Sequence, residues 1–487
     1  NGSIMSNLSE LLPSGSGGKQ FDFVASGTLP NGQAVALKAD GTVEGISATT
    51  ISESIPLSSV TIFKADTTLY QTTVYAPLDS TKFVTGFSSS GCRLVVGSIS
   101  GSSISFSSET VVTSNAVNRV DVAFQPNSNK FVVMYQDDTG SKLGILKLYT
   151  LSGTSVTLND TVTFDPSGNS GGVTVSFSEV NTDLMVLSYA PYTESSYGRV
   201  RTASISGTSL SLGTAVVYNS VSTATPDAKF LSNSNTFVVA YKNNSTTYGE
   251  VRAGEVSGTS ITMGSAIVFN SSSTINTNIA TNYGVSSSFL ITFREDQTTG
   301  YTQVVAGTAS GTSIDSTGSA VDVTNWYANN SSAIARQDII NKFLISVDGE
   351  YLGSNPQYGI YVYELTVAGV NVTIGTKKTL LAPWSSGGIG RMSVDVNPTN
   401  QFVVAFRGAS NYGSAITGQL AATITNLTAT NFVGITDAAI SSAATGKVTI
   451  KGGIKSGLSS LTPNSIYYVQ ADGTISTVTT SPAVRIG

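Results

Sequence analysis

The sequence predicts an all-β fold built from a repeating antiparallel unit, and three observations carry that expectation. One strand phrase recurs seven times at near-equal intervals: Phe83-Val-Thr-Gly-Phe87, Phe131-Val-Val-Met-Tyr135, Leu184-Met-Val-Leu-Ser-Tyr189, Phe237-Val-Val-Ala-Tyr241, Phe289-Leu-Ile-Thr-Phe293, Phe343-Leu-Ile-Ser-Val347 and Phe402-Val-Val-Ala-Phe406. A second phrase, usually of the form Ser-Gly-Thr-Ser, follows at a matched distance. Its glycines are Gly101, Gly153, Gly207, Gly258, Gly311 and Gly369, 51 to 58 residues apart. No stretch of comparable length carries the apolar period of about 3.6 residues that marks a helix. Repeats of this length signal solenoids, propellers or arrays, in which one supersecondary unit buries its face against its neighbours.

One copy shows what each unit contains. Val120 to Gln125 alternates as a strand, and Pro126 to Asn129 turns the chain. Phe131 to Tyr135 is a more apolar second strand, Leu143 to Leu151 a third, and Ser152-Gly153-Thr154 a tight turn into a fourth at Val156 to Phe164. Four short strands separated by turn residues form an antiparallel meander. Seven of them predict a seven-bladed β-propeller of four-stranded blades, with the second strands buried between blades. In the seventh copy the strands are expected near Arg391 to Val396, Gln401 to Phe406 and Gly418 to Thr425. An orphan segment ahead of the first copy, Ser58 to Lys64, is expected to supply the missing outer strand and close the ring.

The flanks differ in character. Phe21 to Leu29, Ala34 to Lys38, Phe432 to Ile435, Gly446 to Ile450 and Ser465 to Val469 read as strands. An Ala-Asp-Gly-Thr phrase occurs on both sides, at 39–42 and 471–474. The predicted organisation is an arm at 1–19 with a short helix near Leu8 to Leu12, a small discontinuous β-roll or barrel from 20–50 plus 428–487, and the propeller at 51–427 inserted between.

Composition narrows the function classes. Charged residues make up 11% of the chain, against about 25% in typical soluble proteins. The hydrophobic share of 40% and the many β-branched residues argue against disorder. With a net charge of −5 and no Lys/Arg run, a nucleic-acid footprint is absent. No apolar run of about 18 residues exists to cross a membrane as a helix. The single cysteine, Cys92, forms no internal disulfide and reads as a buried small hydrophobe.

The chain has no histidine. That removes the commonest general base, His-dependent triads and His-based metal sites, and one cysteine removes thiolate metal sites. No cofactor or metal is expected. Carboxylate-only glycoside hydrolysis remains open in principle. Its candidate acids, Asp137 with Asp138, Glu295 with Asp296 and Asp348 with Glu350, all sit in loops after a second strand and read as solvated loop charges. No enzyme activity is expected.

Both tryptophans fall in loops between repeats, Trp326 after Gly311 and Trp384 after Gly369, where other copies carry Ala116, Gly168, Ser222 and Ser273. Between them lies an enlarged loop, Asp348 to Tyr358. Trp326, Tyr327, Asp348, Glu350, Tyr351, Tyr358 and Trp384 form the candidate ligand-binding sector. Aromatic faces beside carboxylates and amides suit a sugar or a protein partner. The alternative is that the two indoles plug gaps between blades. A Tyr-Gly phrase at Tyr197, Tyr248, Tyr358 and Tyr412 reads as a structural turn element.

The segments Phe21 to Leu37 and Gly457 to Thr474, with Leu461-Thr-Pro-Asn-Ser-Ile-Tyr-Tyr-Val469 leading to the Asp472-Gly turn, resemble terminal pieces of tail-fibre and other virion proteins of tailed phages, marine ones in particular. The resemblance covers about a fifth of the chain. It implies a virion structural or adhesion protein in a homo-oligomeric or multi-copy assembly on the particle surface. Other virion proteins would meet the terminal β-domain, and the propeller would be displayed toward host-surface glycan or protein. A surface-polysaccharide depolymerase and a cellular surface lectin are the alternative classes.

Overall fold

The computed structural model describes residues 19–487 except 141, 168–169, 192–195, 297–299, 327–331, 337–340, 353–354, 385–391, 429, 451–452, 454, 456, 459–460, 463–464, 478–483 and 487. At 170–171, 191, 332–336, 350–352, 355–358, 383–384 and 423–424 it describes the backbone alone. The expected arm and its short helix lie outside the described residues. The fold is all-β, made of antiparallel sheets, with no α-helix among the described residues. Two compact units divide the chain, 53–420 and the paired ends 1–52 with 421–487.

In the larger unit each repeat is an antiparallel meander. The second copy runs Val117–Phe124, Lys130–Asp137, Gly144–Ser152 and Ser155–Asp165, paired in that order. Copies one and five have the same arrangement with the outer strand in two pieces, as does six in its backbone. Copies three and four merge into one nine-stranded sheet, because the long strand Val216–Phe230 ends the third meander and begins the fourth. The last sheet is completed from the far end of the sequence. Thr61–Thr67 pairs with Tyr412–Gln419 as its fourth strand, 345 residues separating Thr67 from Tyr412. The third strand of that sheet is thus Tyr412–Gln419, not the segment from Gly418 onward. Ala422–Thr425 pairs instead with Ala48–Ile51 in the terminal unit, which places the unit boundary at Leu420.

The repeated phrases have specific mechanical duties. In the third-to-fourth-strand turns Gly153, Gly207 and Gly258 each hold φ of +61°, which a two-residue hairpin requires and a Cβ resists. The opening Phe of the strand phrase lies flat over a glycine on the third strand: Phe83 on Gly97, Phe237 on Gly254, Phe289 on Gly307 and Phe402 on Gly418. A Cβ on Gly418 would sit 2.2 Å from the Phe402 ring. Gly418→Ala is therefore expected to destabilise the protein by about 2 kcal/mol through overpacking, measured by denaturant unfolding. An unchanged midpoint would show that the ring can swing aside freely.

The Tyr-Gly phrase works in the same way. Gly198 lies under Tyr218, Gly249 under Phe269 and Gly413 under Phe63, each aromatic coming from the outer strand. Phe63, on the strand that arrives from the start of the chain, has the same role as its counterparts inside the repeat. The repeated phrases of the second strands are buried and pack in clusters that each combine two successive meanders, such as Phe131 and Val133 with Val84 and Leu94.

The first strands pack on one another in an order that returns to its start. Leu69–Ala76 contacts Val117–Phe124, which contacts Ser170–Phe177, which contacts Val216–Phe230. Thr274–Thr281, Ser332–Arg336 and Ser393–Val396 follow, and Ser393–Val396 contacts Leu69–Ala76 again. Among the described residues no backbone ladder joins these neighbours, so side chains accept the N–H groups that a ladder would use. Asp121 accepts from Val175 N at 2.8 Å, Asp227 from Ile279 N at 2.7 Å, and Asp395 from Tyr75 N at 2.7 Å. The hydroxyls of Thr174, Ser176 and Ser393 accept from Ala228, Phe230 and Thr73.

The terminal unit carries a five-stranded antiparallel sheet in the order Gln20–Val24, Thr445–Ile450, Phe432–Thr436, Ala34–Leu37, Val43–Gly45. The two strands from the far end of the chain lie between strands from its start, and the core includes Val35, Val43, Val433 and Val448. The shared Ala-Asp-Gly-Thr phrase forms the same turn twice. Asp40 accepts both the backbone N–H and the hydroxyl of Thr42, and Asp472 does the same for Thr474. Hydrogen bonds from the Thr42 and Thr474 side chains, then their backbones, hold both carboxyls below the ordinary aspartate value.

Candidate functional site

The expected sector around the tryptophans divides between packing and backbone placement. Trp326 is half-buried against Phe343, Val347 and Tyr361 in the cluster shared by the fifth and sixth meanders. Its ring meets that of Tyr361 edge-on at 5.7 Å. The Lys377 ammonium lies 4.8 Å from the Trp326 ring and 4.7 Å from the Tyr361 ring, within cation–π reach of both. The Trp326 indole N–H is enclosed and meets no acceptor among the described residues. Asp348 is fully buried on the second strand of the sixth meander, Lys342–Leu352. Glu350 and Tyr351 follow on that strand, and Tyr358 is paired in register with Trp384 on the two strands beside it. Their side chains, and Tyr327 entirely, lie outside the described residues. The backbone therefore brings 348, 350, 351, 358 and 384 to one end of one sheet, while Trp326 fills space between two sheets.

Glu295, at the end of its second strand, is buried like Asp348, so neither is the solvated loop charge expected, and the other acids are tied into local structure. Asp137 accepts from Thr139 and Asn115. Burial opposes its ionisation, yet these bonds leave its carboxyl below the ordinary value. Glu295 accepts from Ser272 at 2.6 Å, and Asp296 pairs with Arg294 at 2.6 Å. Among the described residues no group of three His, Cys, Asp or Glu is placed to hold a metal ion.

A site that sequence reading missed lies along the first strands. They line a cavity of about 330 Å³ whose wall is part polar and part apolar. Three carboxylates from three different meanders, Asp121, Asp227 and Asp395, line it together with one ammonium, Lys229. Lys229 lies 3.9 Å from Asp227. Burial acts to depress its pKa, but Asp227, Asp121 and Asp395 together raise it above the ordinary lysine value. Burial pushes the Asp121 carboxyl up to about 6, against partial relief from Lys229 and the Val175 N–H. Asp227 is raised by the same cause, with Lys229 again the chief opposing influence. One cation thus serves a set of acids that the fold uses as lateral fasteners.

At one end of this cavity five first strands are bulged at matching places. The register breaks between Leu69 and Thr72, Asn118 and Val120, Ser170 and Val173, Ala224 and Asp227, and Ile275 and Asn278. Four of the bulges hold a non-glycine residue in the left-handed region: Tyr70 (φ 53°), Arg119 (65°), Thr225 (45°) and Asn276 (54°). The Arg119 guanidinium sits 5.3 Å over the Tyr70 ring. A signal for the acids was present in the sequence, as Val120-Asp-Val, Pro226-Asp-Ala and Val394-Asp-Val on matching strands. The bulges left none, because each extra residue is masked by ordinary strand composition.

No family model matches the chain, and a search of curated proteins finds no match.

Proposed function

We propose that residues 53–420 form a seven-bladed β-propeller and that the protein is a non-enzymatic structural or adhesion component of a phage virion. In this reading the terminal unit joins other virion proteins, and the propeller is displayed toward a host-surface glycan or protein. The carrying observation is the return of first-strand contacts to their starting point, with Thr61–Thr67 supplying the last sheet's outer strand. Such a closure leaves no uncovered sheet face between first and last repeat. The virion assignment rests on the resemblance of the Phe21 to Leu37 and Gly457 to Thr474 segments, and the packing of Val469 in one cluster with Ala34 and Ala36 supports their acting as one attachment module. The engagement of Asp137, Glu295 and Asp296 in local hydrogen bonds supports a binding over a hydrolytic role.

The test has two arms. Antibody labelling of intact particles is expected to find the protein on the particle surface, and a cellular location would sink the virion reading. On a glycan array with product analysis, binding without sugar release is expected, whereas turnover would favour the depolymerase class. Trp326→Ala, which empties a half-buried gap between meanders, is expected to lower stability by about 2–3 kcal/mol. A variant with full stability and lost binding would instead make Trp326 part of the recognition surface.

A further inference from the structure

The bulged end of the first-strand cavity holds four non-glycine residues in the left-handed region, Tyr70, Arg119, Thr225 and Asn276. A left-handed Thr or Tyr is disfavoured by contact between Cβ and backbone, and such positions persist where the surroundings hold them. In five first strands an extra residue turns a side chain, or in the third the backbone around Gly172, to the cavity wall, with Tyr70, Arg119, Thr225 and Asn276 all in the lining. Bulges that re-aim side chains recur beside binding sites. A cavity of about 330 Å³ is at the small end of ligand sites.

Its chemistry selects the occupant. Asp121, Asp227 and Asp395 disfavour an anion, Arg119 at the bulged end and Lys229 disfavour a cation, and the wall mixes polar groups with apolar ones such as Pro226 and Ile279. A neutral molecule dense in hydroxyls fits each part. Its O–H groups donate to carboxylate and hydroxyl oxygens of the wall, its oxygens accept from side-chain N–H groups there, and its C–H faces meet the apolar part of the lining. We infer that the bulged mouth of this cavity binds a neutral saccharide unit. The inference rests on the reading of the larger unit as a glycan-binding head and names the place on it.

Glycine keeps a left-handed backbone without strain, so Tyr70→Gly and Asn276→Gly remove the side chains while leaving the bulges in place. The full chain is titrated with methyl glycosides of neutral hexoses and N-acetylhexosamines, followed by saturation-transfer NMR, with a uronic acid and a hexosamine as charged comparators. Neutral sugars are expected to bind at least tenfold more tightly than either charged form. Each glycine variant should weaken them at least tenfold with no fall in melting temperature. Equal binding by the variants, or preference for a charged sugar, overturns the cavity assignment. If glycan binding survives in both variants and is lost in Trp326→Ala, the cavity assignment falls and the glycan-binding head stands. If the unaltered chain binds no glycan in titration or on an array, both fall together.

Discussion

Lys229→Met is expected to lower the unfolding free energy by about 3 kcal/mol at pH 7.5, and to recover about 2 kcal/mol of that at pH 5. The substitution keeps the length of the side chain and removes its charge. It leaves Asp227, Asp121 and Asp395 without the cation that serves all three, and uncompensated carboxylates inside a protein are strongly destabilising. A third of the Lys229 side chain remains accessible, so the value is taken at the low end of the range for buried pairs. The pH dependence follows from the direction of the aspartate shifts. Asp121, held at about 6 against an ordinary 3.8, binds its proton more tightly in the folded chain than in the unfolded one. Its contribution to stability is complete below about pH 4 and is lost as pH rises through 6. Without Lys229 the carboxylates shift further up, so acidification to pH 5 neutralises them and restores stability at about 1.4 kcal/mol per pH unit per group. Guanidinium unfolding at the two pH values measures both numbers. A variant equally weakened at pH 7.5 and pH 5 would show that Lys229 acts by packing and not by charge.

Phe63→Ala is expected to destabilise the larger unit by about 4 kcal/mol and to lower the melting temperature by about 10 °C. Phe63 is 8% exposed and meets Phe87 at 5.0 Å and Phe106 at 5.5 Å. It also covers Gly413 on its own sheet and packs in a cluster with Val403 and Ala415. One ring therefore ties the last meander to the first, and the strand bearing it is held by few ladder pairs. Leu158→Ala, on the outer strand of the second meander and 49% exposed, is the control and should change stability by less than about 0.5 kcal/mol. Comparable losses for the two variants would mean that the closing strand has no special role.

The repeat, its four strands and the completing outer strand were legible because each leaves a composition signal. Apolar runs mark the second strands, and glycine marks turns where φ must be positive. Tyr-Gly was readable as structure, though its reason, an aromatic lying on a bare backbone, needed coordinates. The third strand of the last copy was misplaced because Tyr412-Gly413, not the missing glycine turn, marks its start. The cavity was illegible for a different reason. Asp121, Asp227 and Asp395 look like the outward residues of half-exposed strands, and only spatial juxtaposition around Lys229 distinguishes an inner wall from an outer face. Trp326 was legible as unusual for its position, and its contacts with Tyr361 and Lys377 explain it through the space between two sheets.

The larger unit begins and ends at one place. Ser54 and Gln419 exchange both backbone hydrogen bonds, at 2.9 and 2.8 Å, so entry and exit of 368 residues are clasped together by one bridge. An insertion whose ends meet makes the same demand on its host whatever lies between them. A different insert could be exchanged by recombination at these two points while the terminal unit's sequence stayed constant. The reach between the ends, and not the length of the insert, would decide which inserts are accepted.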